Sequence, residues 1–313
     1  MGLSMTGRKA FLTIDAGGTY LKSAVLNIEG EVLKGSTETI KAFSGGSKEK
    51  ILSSFRKTII KGLKFIEIAG MKLDGIGVAF PGPFDYLKGI PLMEHKFLNI
   101  YGVKLREVFR EIPGILPDIP INFINDAHAV LSGELWKGNA QEFQDAAVVT
   151  LGTGLGFAFS KGGIVQSNSW GGPLITIFEL PYKDGILEDF TARRGFLKIY
   201  SEISDNGIEG IDVSDLGKWA NEGDENSIQT FREVGRILAE TLHNILIERG
   251  IQCLLLGGQI SRSFQHMELI LRQGLMDVEC LRKISVVKSI DNAPLLGALR
   301  AIGNNNLIVS ISG

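Results

Sequence analysis

Asp15-Ala16-Gly17-Gly18-Thr19, with Lys22 three residues further on, is the stretch from which the rest of the chain can be read. It ends an apolar run from Ala10 to Asp15 and opens a second from Leu21 to Ile28, so that a glycine turn joins two adjacent strands. Glu29-Gly30 is a further turn, after which Glu31 to Ile40 supplies a third strand and completes an antiparallel meander. Consecutive glycines let backbone N–H groups approach phosphate oxygens, Thr19 adds a hydroxyl donor, and Asp15 can hold Mg²⁺ or its waters. An ordinary hairpin turn would use the same residues. The stretch is not a Walker loop, which needs Gly-Lys-Ser/Thr at the start of a helix.

The same plan recurs further on. The apolar strand Ala146 to Leu151 meets Gly152-Thr153-Gly154-Leu155-Gly156, continues as Phe157 to Ser160, and turns at Lys161-Gly162-Gly163. Two copies of strand, glycine turn and strand point to an internal duplication, one copy in each of two lobes. A pair of such turns can grip a phosphate chain in a cleft from which water is excluded on closure. The bland reading, a second hairpin, stays open.

Composition narrows the classes. With 313 residues, 44% of them hydrophobic, the chain is long enough for two cores. A formal net charge of -2, from 33 basic and 35 acidic residues, leaves no surplus of positive charge to neutralise a nucleic-acid backbone, so no nucleic-acid partner is expected. No apolar stretch is long enough to span a membrane. The two cysteines, Cys253 and Cys280, form neither a disulfide framework nor a metal motif, which suits a reducing cytoplasm. The four histidines, His95, His128, His243 and His266, lack metal-ligand spacing and read as surface or helix-face residues. Arg193-Arg194 reads as a short solvated pair.

Between the two glycine turns the pattern predicts a helix over Ser47 to Ala69, a strand over Asp74 to Phe80 that stops at Pro81-Gly82-Pro83, and a strand over Ile121 to Ile124 followed by a helix from Asn125 to Trp136. Pro113 to Pro120 holds three of the nine prolines, and the lobe boundary is placed near residue 120. The expected division is therefore an N-terminal lobe over 1–120, with a C-terminal helix over about 294–313 packing back on it, and a C-terminal lobe over 121–293. Beyond the second turn, residues 215–249 read as helices, and the strand Cys253 to Leu256 ends at Gly257-Gly258, whose bare backbone suits an adenine and ribose.

Asn125-Asp126 falls where a strand ends and a helix begins. A carboxylate there has an ordinary use as an N-cap. It is also where a group that orients a substrate hydroxyl and takes its proton would sit.

Taken in order, these segments resemble the ROK family of the actin-like ATPase superfamily. Ile14 to Thr19 is similar to its first phosphate motif and Gly75 to Pro83 to its sugar-side loop. Asn125-Asp126-Ala127 is similar to its catalytic segment, Leu151 to Gly154 to its second phosphate motif, Leu256-Gly257-Gly258 to its adenosine motif, and Ala293 to Ala298 to its closing helix. The resemblance implies an α/β, two-lobed fold of the actin-like (ribonuclease H-like) kind, with a mixed sheet and helices in each lobe and a cleft between them. It implies an ATP- and Mg²⁺-dependent kinase acting on a hydroxyl of a hexose or hexose-like sugar, glucokinase-like, cytoplasmic and homodimeric. Asp126 is then the base, with Asn125, Gly82, Glu188 and Asn99 as sugar contacts. Asp15, Gly17, Gly18, Thr19, Lys22, Gly152, Thr153, Gly154, Gly257 and Gly258 are then nucleotide contacts. For Glu188, a solvated acid at a helix start is the competing reading.

Two departures from the family bear on function. Its Glu-x-Gly-His segment is replaced by Pro173-Leu174-Ile175-Thr176, and its zinc-binding cysteine cluster is missing, so no zinc site is expected. The first departure removes two sugar contacts, keeping open a member that binds sugar or nucleotide without catalysis. Some members carry a DNA-binding helix-turn-helix ahead of this fold; the fourteen residues before Asp15 are too few for one.

Overall fold

The computed structural model describes residues 8–94, 96–204 and 207–303. In chain order it begins with β1 (Lys9–Ala16), β2 (Tyr20–Leu26), β3 (Glu38–Lys41), α1 (Lys48–Ile68) and β4 (Lys72–Phe80). Two short strands, β5 (Phe84–Asp85) and β6 (Ile90–Pro91), then precede α2 (Leu105–Arg110), β7 (Ile121–Asn125) and α3 (Asp126–Lys137). The next elements are β8 (Ala146–Leu151), β9 (Leu155–Lys161), β10 (Ile164–Val165), β11 (Pro181–Tyr182) and β12 (Gly185–Ile186), then α4 (Leu187–Thr191), α5 (Arg193–Ser204), α6 (Val213–Asn221) and α7 (Glu225–Arg249). The order closes with β13 (Cys253–Gly257), α8 (Glu268–Gly274), β14 (Lys283–Val286) and α9 (Ala293–Gly303).

These elements form two compact units. The first holds residues up to Gly133 with Ser167–Pro173 and the chain from Asn292, and the second holds Glu134–Gln166 and Leu174–Asp291. The division thus falls after Gly133 and not near residue 120, because β7 runs parallel to β4, with Phe80 opposite Asn125, and so belongs to the first sheet. The prolines of 113–120 mark only the loop that enters β7. Of the expected helix over 294–313, the part to Gly303 is α9, and residues 304–313 lie outside the described residues.

The sheet of the first unit has the order β3-β2-β1-β4-β7, and that of the second the order β10-β9-β8-β13-β14. In both, the second strand is antiparallel to its neighbours and the last two strands run parallel to the first, so each is a mixed sheet of the same plan. The duplication read from two glycine turns is therefore a duplication of a whole sheet. Each sheet packs on its own core. Phe55, Phe80, Phe97 and Phe109 are fully buried in the first unit, and Phe196 and Phe231 in the second. Burying such rings supplies about 2–3 kcal/mol each.

Local sequence accounts for the element ends. Ser47 accepts the Lys50 N–H at 3.4 Å and caps α1, whose buried Ile51, Leu52, Phe55, Ile59 and Ile66 follow helical spacing. Asp224 caps α7 by accepting the Ser227 N–H at 2.7 Å, and Gly250 ends it in the left-handed region. One expected element is shorter than read. The strand predicted over Glu31 to Ile40 forms a single bridge, Val32 to Leu26, and then β3 only from Glu38, because Gly35 takes φ 81° and the Ser36 hydroxyl fills the Val25 N–H and shares its carbonyl with the Leu33 N–H.

Candidate functional site

In the first unit, β1 and β2 pair antiparallel up to Ala16 and Leu21, leaving Gly17-Gly18-Thr19 as the turn, with Thr19 exposed. Asp15, at the end of β1, faces Lys22 across the ladder. Burial, and then the Asp126 carboxylate, push Asp15 up to about 7, against the pull of Lys22. Two carboxylates that oppose each other's charge are suited to a shared cation. Among the described residues no group of three or more His, Cys, Asp or Glu is arranged as a metal cage, and Mg²⁺ is commonly held by one or two carboxylates together with substrate phosphates.

Asp126 is the first residue of α3, and the capping role is not its own. The Asn125 Oδ1 accepts N–H groups from Ala127 at 3.0 Å and His128 at 3.2 Å, satisfying the helix start, while one Asp126 oxygen accepts the Ala127 N–H at 2.8 Å. Burial raises the Asp126 carboxyl, and the Ala127 N–H, the Lys96 charge and Asn125 restrain that rise. Asn125 is in turn fixed from the far side. Its Nδ2 donates to the Tyr86 hydroxyl at 3.0 Å, and that hydroxyl donates to the Phe80 carbonyl at 3.0 Å. Burial, and then the Asp126 charge, hold the Tyr86 phenol well above its usual range, so it keeps its proton and remains a donor. Gly82 belongs to the same group, since a Cβ there would stand 3.3 Å from the Tyr86 hydroxyl. The Gly82–Pro83 peptide is cis.

Asn99 has a different setting. It lies in a single 3₁₀ turn, Leu98–Ile100, and its Nδ2 donates to the Gly46 carbonyl at 2.8 Å.

In the second unit the expected residues also cluster. The Gly152-Thr153-Gly154 turn joins β8 to β9 with Thr153 exposed. Gly258 takes φ 81°, and a Cβ on it would collide with the Leu151 backbone carbonyl, so only glycine lets the end of β13 lie against the entry to that turn. On the other side, the Arg193 N–H donates to the Gly152 carbonyl at 2.9 Å. Glu188, in the first turn of α4, accepts the Leu155 N–H at 2.9 Å and pairs with Arg194 at 3.3 Å. Its carboxylate is thus a brace for the glycine turn as well as a helix-start acid. Arg193 and Arg194, read as solvated, are half-exposed but ion-paired, the first with Asp212 and the second with Glu188 and Asp189.

Several residues here escape a reading of the sequence. Tyr86 and Lys96 lie in the irregular segment after Pro83, where no periodicity singles out a residue, and only the fold brings them to Asp126. The capping of α3 by Asn125 had a signal, an Asn directly before a helix start. His128 is buried on α3 and not at the surface. His243 and His266 make surface polar contacts with Asp277 and Asn221, and His95 lies outside the described residues.

Known proteins resemble this chain in sequence or in fold. A "Beta-glucoside kinase" of Listeria monocytogenes is 29% identical over 153 residues, covering 49% of this chain and 47% of its own, so the chain matches about half the length of such relatives. A "Glucokinase" of Thermotoga maritima is 23% identical over 315 residues, covering 92% of this chain and 96% of its own. Among solved structures, a ROK family glucokinase from Streptomyces griseus in complex with glucose and AMPPNP superposes with a TM-score of 0.79 at 19% identity, covering 93% of this chain and 98% of that one. A ROK family transcriptional regulator, a homolog of the E. coli MLC protein, superposes with 0.80 at 18% identity, covering 94% and 78%. These likenesses establish the actin-like α/β fold. With the ROK family model matching residues 11–176 and 179–303, this chain belongs to the ROK family.

Proposed function

We propose that the protein is an ATP-dependent sugar kinase, moving the γ-phosphoryl group of ATP to a hydroxyl of a hexose or hexose-like acceptor with Asp126 as general base. The observation that carries this reading is the first-unit pair of buried carboxylates. A carboxylate with one oxygen on the Ala127 N–H, raised by burial and fixed through Asn125, Tyr86 and the Phe80 carbonyl, stands beside Asp15 and the first glycine turn. Kinship with named glucokinases and β-glucoside kinases supports it.

In the transfer, the acceptor oxygen attacks the γ-phosphorus and its proton passes to an Asp126 oxygen. The bond from the γ-phosphorus to the bridging oxygen breaks, and ADP leaves with that electron pair. A base raised toward neutrality holds such a proton more readily than an ordinary aspartate would. Gly17, Gly18, Thr19 and Lys22 are assigned to the phosphates, Gly152, Thr153 and Gly154 to further phosphate contacts, and Gly257-Gly258 to the adenosine. Asn125, Gly82, Glu188 and Asn99 are the acceptor contacts, Glu188 and Asn99 after release from the partners they hold here. Mg²⁺ at Asp15 would bridge and neutralise the phosphate oxygens. A cytoplasmic homodimer is part of this proposal on family resemblance; sedimentation measures the assembly. Among the described residues no helix is long and apolar enough to cross a membrane.

A coupled ADP-release assay over hexoses, amino sugars, β-glucosides and polyols tests the reading, and the expected result is turnover on at least one. Asp126→Asn should lower kcat by about 10²–10⁴-fold while acceptor and nucleotide still bind by calorimetry. Near-normal turnover in that variant removes Asp126 from its role. The second reading, a sugar- or nucleotide-binding member without catalysis, is favoured by the Pro173 to Thr176 replacement and by the prior engagement of Glu188. Binding of a sugar with no turnover on any panel member would establish it.

A further inference from the structure

The first glycine turn is overlain by a lysine that no motif includes. A Cβ on Gly18 would stand 3.6 Å from Lys96 Cδ and 3.9 Å from Cε, so the Lys96 stem lies along the turn, with the Ser44 hydroxyl also 3.6 Å from that point. The backbone beneath it is pinned. Phe97 N–H donates to the Ser44 carbonyl at 2.9 Å, and Ala42 N–H donates to the Thr19 carbonyl at 2.9 Å. The loop residues Phe43 and Phe97 both sit in the left-handed region, at φ 53° and 54°, a conformation costly for a bulky side chain and found where surrounding structure enforces it. The Phe97 ring is fully buried against Phe80 and Phe55, which anchors the loop to the core. The charge of Lys96 also reaches the Asp126 carboxyl, where it counters the effect of burial.

A cation laid from a phosphate-binding turn toward the base lies on the path of the transferred group. We propose that Lys96 is a catalytic residue, its ammonium meeting the γ-phosphoryl oxygens as the group leaves ADP for the acceptor. The inference rests on the kinase reading above. It extends that reading by adding to Lys22 a second first-unit lysine for the charge that develops in transfer, apart from any metal. The loop geometry serves this role, because a lysine on an unanchored segment would lose rotamer freedom at the moment of reaction, whereas a pinned one is already placed.

The test uses the full chain and the acceptor that the panel identifies. Lys96→Ala should lower kcat about 10²-fold with KM for ATP and acceptor within about threefold, as expected when an interaction made only in the transition state is removed. Added ethylammonium should restore part of the loss, and Lys96→Arg, which keeps the charge, should retain more activity than Lys96→Ala. Unchanged kcat in Lys96→Ala overturns the inference. A raised acceptor KM with kcat preserved also overturns it, since Lys96 would then be an acceptor ligand. So does a loss that neither ethylammonium nor arginine relieves, which would mark the lysine as structural. A wild-type chain without turnover on any acceptor sinks the kinase reading and this inference with it, whereas an active wild type with an equally active Lys96→Ala sinks the inference alone.

Discussion

The chemistry proposed for the first unit depends on how few bonds fix Asp126. Asn125 uses its carbonyl oxygen on two helix N–H groups and its amide on Tyr86, so one side chain both starts α3 and links it to the end of β4. Tyr86 is the weak point of this chain of bonds, because its hydroxyl is both donor and acceptor. Tyr86→Phe leaves the Phe80 carbonyl and one Asn125 N–H without that partner in a buried place, which should cost about 1–3 kcal/mol in urea unfolding. The same change should reduce kcat by about 10–10²-fold through misplacement of the proposed base, with nucleotide affinity preserved. A variant as stable and as active as the parent would show that Asn125 is held by its cap bonds alone.

Two helices convert these residues into a site. On α3, His128 is buried, its Nε2 has no hydrogen-bond partner among the described residues, and burial pushes the imidazole from its ordinary 6.5 down to about 4. A depressed histidine binds its proton in the unfolded chain first, so its contribution to stability is complete above pH 6.5 and falls as pH drops toward 4, while the raised Asp15 carboxyl contributes in the opposite sense. The loss across that window is about 3 kcal/mol. His128→Leu should flatten this acid slope in thermal melts from pH 7.5 to 4.5; an unchanged slope would place the acid sensitivity elsewhere. On α9, Gly297 meets the Ala129 backbone of α3, and Gly77 of β4 meets the Ala298 carbonyl, both so closely that a Cβ would collide. Gly297→Ala should therefore destabilise the first unit by about 1–3 kcal/mol or more, since backbone offers no rotamer by which to yield. The melting midpoint reads this directly.

Over the whole molecule, one strand plan is used twice, and each copy places a glycine turn between its first two strands. A ligand that binds only the folded chain at a hundredfold excess over its Kd adds about 2.7 kcal/mol of stability. Mg-nucleotide and the true acceptor should each raise the melting midpoint, and Asp126→Asn should keep both shifts while losing turnover; loss of both would mean that Asp126 supports the fold and not the reaction. The sequence alone determined the two glycine turns, the strand before Asp126 and the helix after it, because apolar periodicity and glycine or proline punctuation are local properties of a chain, while the α/β class came with the family resemblance. Only the tertiary structure decided that β7 belongs to the first sheet, that Glu188 braces the second turn, that Asn125 is held by Tyr86, and that Lys96 lies along the first turn. Those outcomes depend on which distant groups satisfy a buried donor or charge, and no local pattern records such pairings.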